Sequence, residues 1–435
     1  MILIRKQGDC YMSAGKLDRS IWGNRLFVKM FSSYSISVMG NYFDAVAIMI
    51  LFGFVWQADP FLIALIPVAM ALPQALLGQF SGVFTDRTDK LKMMFLADLI
   101  SVVLTLMLVF VSGPWLALLI IACRSVVNVI HYPAQQGMVK EVVPEHQLVQ
   151  AFSLNGIMLQ FSKIAAPLIG GVIAGAVSPQ ICILINAIML IISCFVLFSM
   201  RREYSVFEKD SYAMAHNNRG DFWISWREGW LIIFTSRPLW VSFMLAFLGL
   251  LTIQMIDIQF TTWFRELSPD QPELIGYLFA SSGAGAVVMI VLLNRFSNLR
   301  DYGWLMGGSL ACVGIGFGGI GLLEAGFPLW QPIIFGAIIG LGVGLYSVGF
   351  QYIIHKHTSK ENIGRVSGIN QTISSLCVVV GPLIGGILVR LFGAGAVFMF
   401  VGLFCLLIGM VAFTLRNVLW KETVSAAQVI SDEII

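Results

Sequence analysis

Charged residues are scarce in this chain. Of its 435 residues, 12% are Asp, Glu, Lys or Arg and 58% are hydrophobic. Soluble proteins carry about 25% charged residues, so this chain has too little charge to cover a water-soluble body of its size. Its apolar runs are much longer than the roughly 10-residue alternating segments of an outer-membrane β-barrel. The sequence therefore excludes soluble, disordered and β-barrel proteins and predicts an all-α membrane protein.

Catalytic and metal-binding motifs are also lacking. The sequence contains no phosphate-binding loop of the form G-x-x-x-x-G-K-[ST], no HExxH and no Gly-x-Ser-x-Gly. The seven cysteines form neither a CxxC pair nor a Cys/His cluster, and we interpret them as small packing residues. We therefore expect no enzymatic activity, no cofactor, no metal centre and no nucleic-acid partner.

Long apolar runs dominate what is present. A spanning helix needs about 20 mostly apolar residues, and twelve segments qualify: 29–56, 60–84, 93–112, 114–138, 151–177, 180–200, 237–264, 273–294, 302–323, 328–353, 365–390 and 392–416. The longest polar interval separates six spans from six. The predicted units are an N-terminal arm 1–28, a six-helix half 29–200, a central loop 201–236, a second six-helix half 237–416 and a tail 417–435.

Two polar segments carry their own predictions. Residues 221–234 are rich in Trp and predict an amphipathic helix at the membrane interface. Residues 1–25 lack the apolar core of a signal peptide, so we expect this arm to be retained.

The distribution of Lys and Arg predicts the orientation. These residues concentrate in the N-terminal arm, the tail and the loops on the same side, whereas the opposite loops hold Arg265 and Arg390 alone. Basic residues favour the cytoplasmic side of a membrane. We therefore expect a multi-pass protein of the cell membrane with both termini in the cytoplasm.

An internal repeat relates the two halves. Residues 165–171 read AAPLIGG and residues 380–386 read VGPLIGG, and an Asn precedes each Pro at the same distance. Because six spans lie in each half, the two copies have the same orientation in the membrane. Parallel halves with a site between them are an arrangement of secondary transporters.

The turn after the second span resembles a known signature. It reads Gly82-Val-Phe-Thr-Asp86-Arg87-Thr-Asp89-Lys90-Leu-Lys92. Its Gly82, Asp86 and Arg87 match the loop motif of the major facilitator superfamily, and Lys90 keeps the charge of that motif. The resemblance implies a conformational latch formed by Gly82, Asp86, Arg87 and Lys90. A carboxylate in such a turn can pair with the neighbouring cations or accept hydrogen bonds from helix amides.

Further motifs are similar to the macrolide-efflux branch of that superfamily. Asp89 stands where the general motif has Gly, and Arg124-Ser with His131-Tyr-Pro133-Ala in the fourth span fits the same branch. The branch also contains siderophore and metal-resistance exporters, so the resemblance leaves the substrate open.

The PLIGG segments are similar to the antiporter signature of the fifth span, with Ala166 in place of its first Gly. A Pro bends a helix and a Gly pair allows close packing. This implies a gating or packing motif in both halves, made of Pro167, Gly170, Gly171, Pro382, Gly385 and Gly386.

Ionisable residues within the spans are functional candidates, because burying a charge in a bilayer is costly. The candidates for proton or substrate coupling are Asp44, Asp257, Arg124, Lys163 and His131. The family arrangement, in which spans one, four, seven and ten line the cavity, implies that Asp44, Arg124 and Asp257 face water or substrate. Static ion pairing between helices is the alternative. We expect Asp98 to be a structural partner of the basic turn.

We therefore predict a monomeric transporter that exports an amphipathic organic compound, macrolide-like or another drug, in exchange for protons. The candidates for an apolar, aromatic cavity wall are Asn41, Tyr42, Phe43, Gln254, Tyr346 and Phe350. The alternatives are export of a siderophore, a metal ion or a lysophospholipid. Alternatives of another class are a transporter-like sensor, which needs an added signalling domain, and a membrane enzyme, which needs paired catalytic residues.

Overall fold

A computed structural model describes residues 21–85, 89–144, 147–211, 222–293, 301–359 and 362–420. These residues contain helices and no strand. The α-helices are α1 Arg25–Ile50, α2 Pro60–Thr85, α3 Lys90–Val109, α4 Pro114–Val142, α5 Leu148–Ala176, α6 Pro179–Ser211, α7 Phe222–Thr235, α8 Arg237–Ile256, α9 Phe260–Leu267, α10 Glu273–Leu293, α11 Tyr302–Gly321, α12 Trp330–His357, α13 Ile363–Phe392, α14 Ala394–Thr414 and α15 Arg416–Leu419.

Twelve helical segments within the described residues are long and apolar enough to cross a membrane, which confirms the predicted all-α, twelve-span fold. Helices α1–α6 supply the first six spans and are called the amino half here. Helices α8 and α9 together form the seventh span, and α10–α14 form the eighth to the twelfth; α8–α14 are called the carboxyl half.

Two spans are less regular than the apolar pattern predicts. The first span ends in a π-helical segment, Leu51–Val55, and the seventh is interrupted by a 3-10 turn, Asp257–Gln259. Such departures from α-helix often occur at functional sites. The predicted continuous helix over 237–264 is therefore corrected to two helices joined at Asp257.

The polar segment between the halves is also more helical than expected. Helix α6 continues to Ser211, because no Gly or Pro follows the apolar run to stop it. The amphipathic helix predicted in 221–234 is present as α7. It packs on the start of α13, where Glu228 and Arg365 form an ion pair of 2.7 Å.

The two ends of the bundle are distinguished by bonds between helix ends. Lys29 near the start of α1 pairs with Glu203 near the end of α6 at 2.7 Å, and Arg416 after α14 pairs with Asp301 before α11. We call the end of the bundle that holds these two ion pairs the terminal end. At the opposite end, here the far end, the side-chain amide of Gln259 donates to the carbonyl of Pro60 at 3.0 Å.

The halves meet closely at the far end. A Cβ atom added at Gly171 of α5 would collide with the backbone of Gly276 of α10. A Cβ atom at Gly386 of α13 would lie 3.1 Å from the Cα atom of Phe61 of α2. Glycine is required at such positions because the two backbones touch.

The buried apolar side chains of the described residues also connect the two halves at the far end. One cluster of buried side chains joins both halves towards the far end and includes Ile48, Phe52, Phe260, Phe264 and Phe398. Towards the terminal end, each half has a separate cluster, one around Met30 and Met138 and the other around Leu305 and Phe350. Within the described residues the bundle is therefore joined at the far end and divided at the terminal end.

Candidate transport site

A cavity of about 330 Å³ lies in the amino half among α1, α2, α4 and α5. We call it the amino-half cavity. Aliphatic side chains make up part of its wall, and amides, hydroxyls and one guanidinium make up the rest. Its lining residues are Val38, Asn41, Tyr42, Ala45, Met70, Gln74, Ile121, Arg124, Ser125, Asn128 and Leu159. The mixture can hold an apolar molecule and also bond to its polar groups.

An ion pair lies behind this wall. Arg124 donates to Oδ2 of Asp44, and the side-chain amide of Asn186 donates to the same oxygen at 2.6 Å. The guanidinium also lies 3.4 Å from the hydroxyl of Thr105. Asp44 has no exposed surface, whereas Arg124 reaches the cavity. Asp44 is therefore fully buried in this conformation and does not line the cavity itself, whereas its partner Arg124 does.

A glycine on α1, the helix that carries Asp44, leaves room for the side chain of Asn186. Gly40 lies one turn before Asp44 on α1, and a Cβ atom there would collide with Oδ1 of Asn186. The other oxygen of Asp44 and Oδ1 of Asn186 accept no hydrogen bond from the described residues. The pair is thus only partly satisfied, and a proton on Asp44 would have an acceptor in the same group of side chains.

A second buried network lies nearer the terminal end of the amino half. Nε2 of His131 is 3.2 Å from Oδ1 of Asp98, and the hydroxyl of Ser193 donates to Oδ2 of Asp98 at 2.6 Å. Asp98 is therefore a partner of His131 and Ser193, while Arg87 of the basic turn lies outside the described residues. The lysines of that turn have other partners, because Lys90 pairs with Glu141 and Lys92 pairs with Asp89.

Lys163 and Asp257 stand apart from both networks. Lys163 is exposed on α5, one turn after the cavity residue Leu159, so the two share a helix face. Asp257 is half-buried at the junction of α8 and α9. Neither side chain forms an ion pair within the described residues.

Two of the six predicted wall residues line the amino-half cavity, namely Asn41 and Tyr42. Phe43 is 4% exposed and packs beside Gly170, and Phe350 is 2% exposed with its ring against Phe243. These two phenylalanines belong to the core, because successive residues of a helix point about 100° apart and core packing takes up the apolar faces.

The other two wall candidates lie in the carboxyl half. The ring of Tyr346 stacks on that of Phe350, with centroids 5.5 Å apart. Gln254 on α8 packs beside Gly381 of α13, where an added Cβ atom would lie 2.7 Å from the Cβ atom of Gln254. Both side chains are half-buried.

The two PLIGG segments pack in the same way. The first glycine of each pair contacts the first helix of its own half, since Gly170 lies against Phe43 of α1 and Gly385 against Met255 of α8. The second glycine contacts the other half, since Gly171 lies against α10 and Gly386 against α2. Pro167 and Pro382 lie inside their helices one turn earlier. The repeat thus places one glycine within each half and one between the halves.

The predicted latch is only partly visible. Gly82 lies in the last turn of α2, and Asp86 and Arg87 lie outside the described residues. Lys90 begins α3, whose first turn is capped by the carboxylate of Asp89 through the amide of Lys92 at 3.1 Å.

The family is decided by a match along nearly the whole chain. The model of the Major Facilitator Superfamily matches residues 30–271 and again residues 267–429. The chain belongs to the Major Facilitator Superfamily. It is therefore a multi-pass secondary transporter of small molecules, and the twelve spans are the two six-helix repeats of that superfamily.

Relatives in the superfamily resemble it over most of their length. The MFS-type transporter YfiS of Bacillus subtilis is 28% identical over 386 residues, which cover 88% of this chain and 91% of YfiS. Macrolide efflux protein A of Enterococcus faecalis is 25% identical over 316 residues, covering 71% of this chain and 95% of that protein. The crystal structure of the nucleoside transporter NupG has the same fold, with a TM-score of 0.70 at 11% identity, over 92% of this chain and all of that one.

The geometry adds site residues to this superfamily member that the sequence analysis missed. Asn186 holds the carboxylate of Asp44, and Gln74 and Asn128 line the cavity. Asn186 could have been found as the one amide within the apolar run ICILINAIML. An amide in such a run is costly unless it has a hydrogen-bond partner.

Proposed function

We propose that this chain exports an amphipathic organic compound in exchange for protons by alternating access. The observation that carries the proposal is the amino-half cavity with the Asp44–Arg124 ion pair behind its wall. The likeness to macrolide efflux protein A supports an amphipathic drug as the substrate class.

The cavity lining favours a substrate that is mostly neutral. Arg124 is the charged residue of the lining, and its charge is compensated by Asp44. Asn41, Gln74 and Asn128 offer both donors and acceptors, while Met70 and Leu159 offer apolar surface. A macrolide-like compound, which carries hydroxyl and carbonyl groups on an apolar ring, has this combination.

The ion pair is the proposed site of proton coupling. A proton on Asp44 removes its attraction for Arg124, and the guanidinium is then free to bond to substrate or to amides of the cavity wall. Proton binding and substrate binding are thus linked through one side chain, which is what exchange requires. Asp257 and Lys163 are each proposed as further coupling residues, with His131 as a further proton acceptor beside Asp98.

The division of the bundle supports the direction of access. We infer that the terminal end faces the cytoplasm, because the basic loops lie there. The described halves are separate at that end and joined at the far end, as in a transporter open to the cytoplasm. Such a state takes up the compound from the cytoplasm or the lipid beside it, and closure of the terminal end then releases it outside.

Transport by purified protein in liposomes tests the proposal. With an imposed proton gradient, we expect wild-type protein to move a macrolide uphill and to carry protons the opposite way, and the Asp44→Asn variant to do neither. A ferric siderophore, a divalent metal and a lysophospholipid are supplied in parallel. Movement of one of these instead of the macrolide would replace the proposed substrate. Macrolide movement that is unaffected by the gradient would contradict proton coupling.

A further inference from the structure

Two grooves occupy the same place in the two halves. Groove A, of about 370 Å³, lies where the start of α3 meets the end of α6. Groove B, of about 490 Å³, lies where the start of α11 meets the end of α14 and the short α15. Helices α3 and α6 are the third and sixth spans of the amino half, as α11 and α14 are of the carboxyl half. The repeat therefore relates the grooves, both at the terminal end.

In each groove an aspartate uses its two oxygens in the same way. Oδ1 of Asp89 accepts from the backbone amide of Lys92 at 3.1 Å, and Oδ1 of Asp301 accepts from that of Trp304 at 3.0 Å. Oδ2 of Asp89 pairs with Nζ of Lys92 at 2.9 Å, and Oδ2 of Asp301 pairs with Arg416. The carboxylate is therefore already neutralised in both grooves.

A second basic side chain lines each groove. Arg201 lines groove A, is exposed and forms no ion pair within the described residues. Lys356 lines groove B, with its ammonium 5.2 Å from the ring centre of Tyr302 and 5.7 Å from that of Tyr352. With two basic residues and one acidic residue in its lining, each groove carries one net positive charge.

Apolar surface continues from each groove towards the middle of the membrane. In groove A, Leu96 and Phe198 are 50% and 59% exposed. Beside groove B, Trp304 and Phe413 are 40% and 43% exposed. Because α3, α6, α11 and α14 pack mainly within their own halves, these faces look outward to lipid.

We propose that grooves A and B each bind the headgroup of an anionic phospholipid. The phosphate lies between Lys92 and Arg201 in groove A and between Lys356 and Arg416 in groove B, and the acyl chains follow the exposed apolar faces. The single charge of a phosphodiester matches the net charge of each groove, and basic pockets between spans favour such headgroups. The proposal is independent of the exported compound.

Native mass spectrometry of the full-length protein in detergent tests the two sites. We expect two phosphatidylglycerol molecules to remain bound, whereas phosphatidylcholine with the same acyl chains is lost. Arg201→Gln and Lys356→Gln are each expected to weaken one of the two binding events about fivefold, as expected for one cation near an anionic headgroup. The double variant Arg201→Gln/Lys356→Gln is expected to weaken both binding events, each about fivefold.

Arg237→Gln is the matched control, because Arg237 is exposed at the start of α8 at the same end and lines neither groove. Equal loss of phosphatidylglycerol in this control would show general charge attraction and overturn the proposal. Glycerol phosphate, which has the headgroup without chains, is added in a separate arm. Displacement of the lipid by millimolar glycerol phosphate would identify the grooves as sites for a soluble anion. Wild-type affinity for both lipids in the double variant would also overturn the proposal.

Discussion

At the scale of single residues, the ion pair of Asp44 and Arg124 is the most consequential feature. Removing one partner of a buried pair leaves the other charge uncompensated, which costs about 3–5 kcal/mol. Well-packed apolar side chains in the same space are often at least as stable. Stability alone therefore does not explain the pair, and a role in proton-linked transport is the more specific hypothesis.

We predict that Asp44→Asn abolishes uphill export and leaves downhill exchange or drug binding in place. An Asn keeps the shape of the side chain and its contact with Asn186 but binds no proton at neutral pH. The measurement is drug-induced proton release and the pH dependence of binding, in purified variant and wild type.

The double variant Asp44→Asn/Arg124→Gln separates coupling from static pairing. It removes both charges and so relieves the uncompensated guanidinium left by the single change. If the pair only joins helices, the double variant regains uphill export. If Asp44 carries the proton, uphill export stays absent although the protein becomes more stable than Asp44→Asn. Unchanged pH dependence in the single variant would transfer the coupling role to Asp257.

At the scale of elements, the repeated Gly pairs place α5 and α13 in equivalent positions. In each helix, the first glycine of the pair contacts a helix of the same half, and the second glycine contacts a helix of the other half. A change in one glycine therefore affects either the packing of a half or the contact between halves. The far-end contact of Gly171 with Gly276 is the clearest case, because backbone meets backbone.

We predict that Gly171→Ala slows transport and lowers the melting temperature. Its Cβ atom has no room beside Gly276, and overpacking costs about 1–3 kcal/mol. Gly156→Ala on the same helix is the control, since no atom lies within 4 Å of an added Cβ atom. There the gain in helix propensity of about 1 kcal/mol is expected to raise the melting temperature. Equal effects of the two substitutions would refute the packing role.

We also predict that Asp86→Asn slows transport while expression stays near normal. The proposed latch needs a carboxylate that stabilises one conformation of the turn between α2 and α3. Lys90 and Lys92 have partners in Glu141 and Asp89, so loss of Asp86 leaves these two ion pairs in place. Transport rates are compared with those of Asp89→Ala, which is expected to destabilise α3 by loss of its cap. A wild-type transport rate for Asp86→Asn would show that the turn serves only to set the orientation of the protein in the membrane.

At the scale of the whole molecule, the buried side chains form one shared core and two separate ones. The shared core joins the halves at the far end, and each half keeps its own core at the terminal end. Rocking of the two halves as rigid bodies fits this distribution, because each half can move without losing its own core.

We predict that the terminal end faces the cytoplasm. In a cysteine-free background, a cysteine at position 210 beyond the membrane portion of α6 is expected to react with an impermeant reagent only in opened cells. A cysteine at position 270, in the far-end turn before α10, is expected to react in intact cells. Labelling of position 210 from outside intact cells would invert the topology.

Several structural features could be predicted from the sequence because they depend on local composition. Apolar run length fixes the number of spans, since every backbone group in lipid must be bonded within its own helix. The repeated PLIGG segments predicted two parallel halves, and the turn around Gly82 indicated the superfamily. The helix in 221–234 was also correctly predicted, because its pattern is local.

The pairings of polar residues were decided by tertiary structure alone. Sequence identified Asp44, Arg124, His131 and Asp98 as polar groups in apolar runs, but not that Asp44 pairs with Arg124 while Asp98 pairs with His131. A span is too hydrophobic on all sides to show which face meets another helix, so Phe43 and Phe350 were wrongly placed on a cavity wall. Which face is buried, and which carboxylate meets which cation, follows from helix packing, because the groups that meet are far apart along the chain.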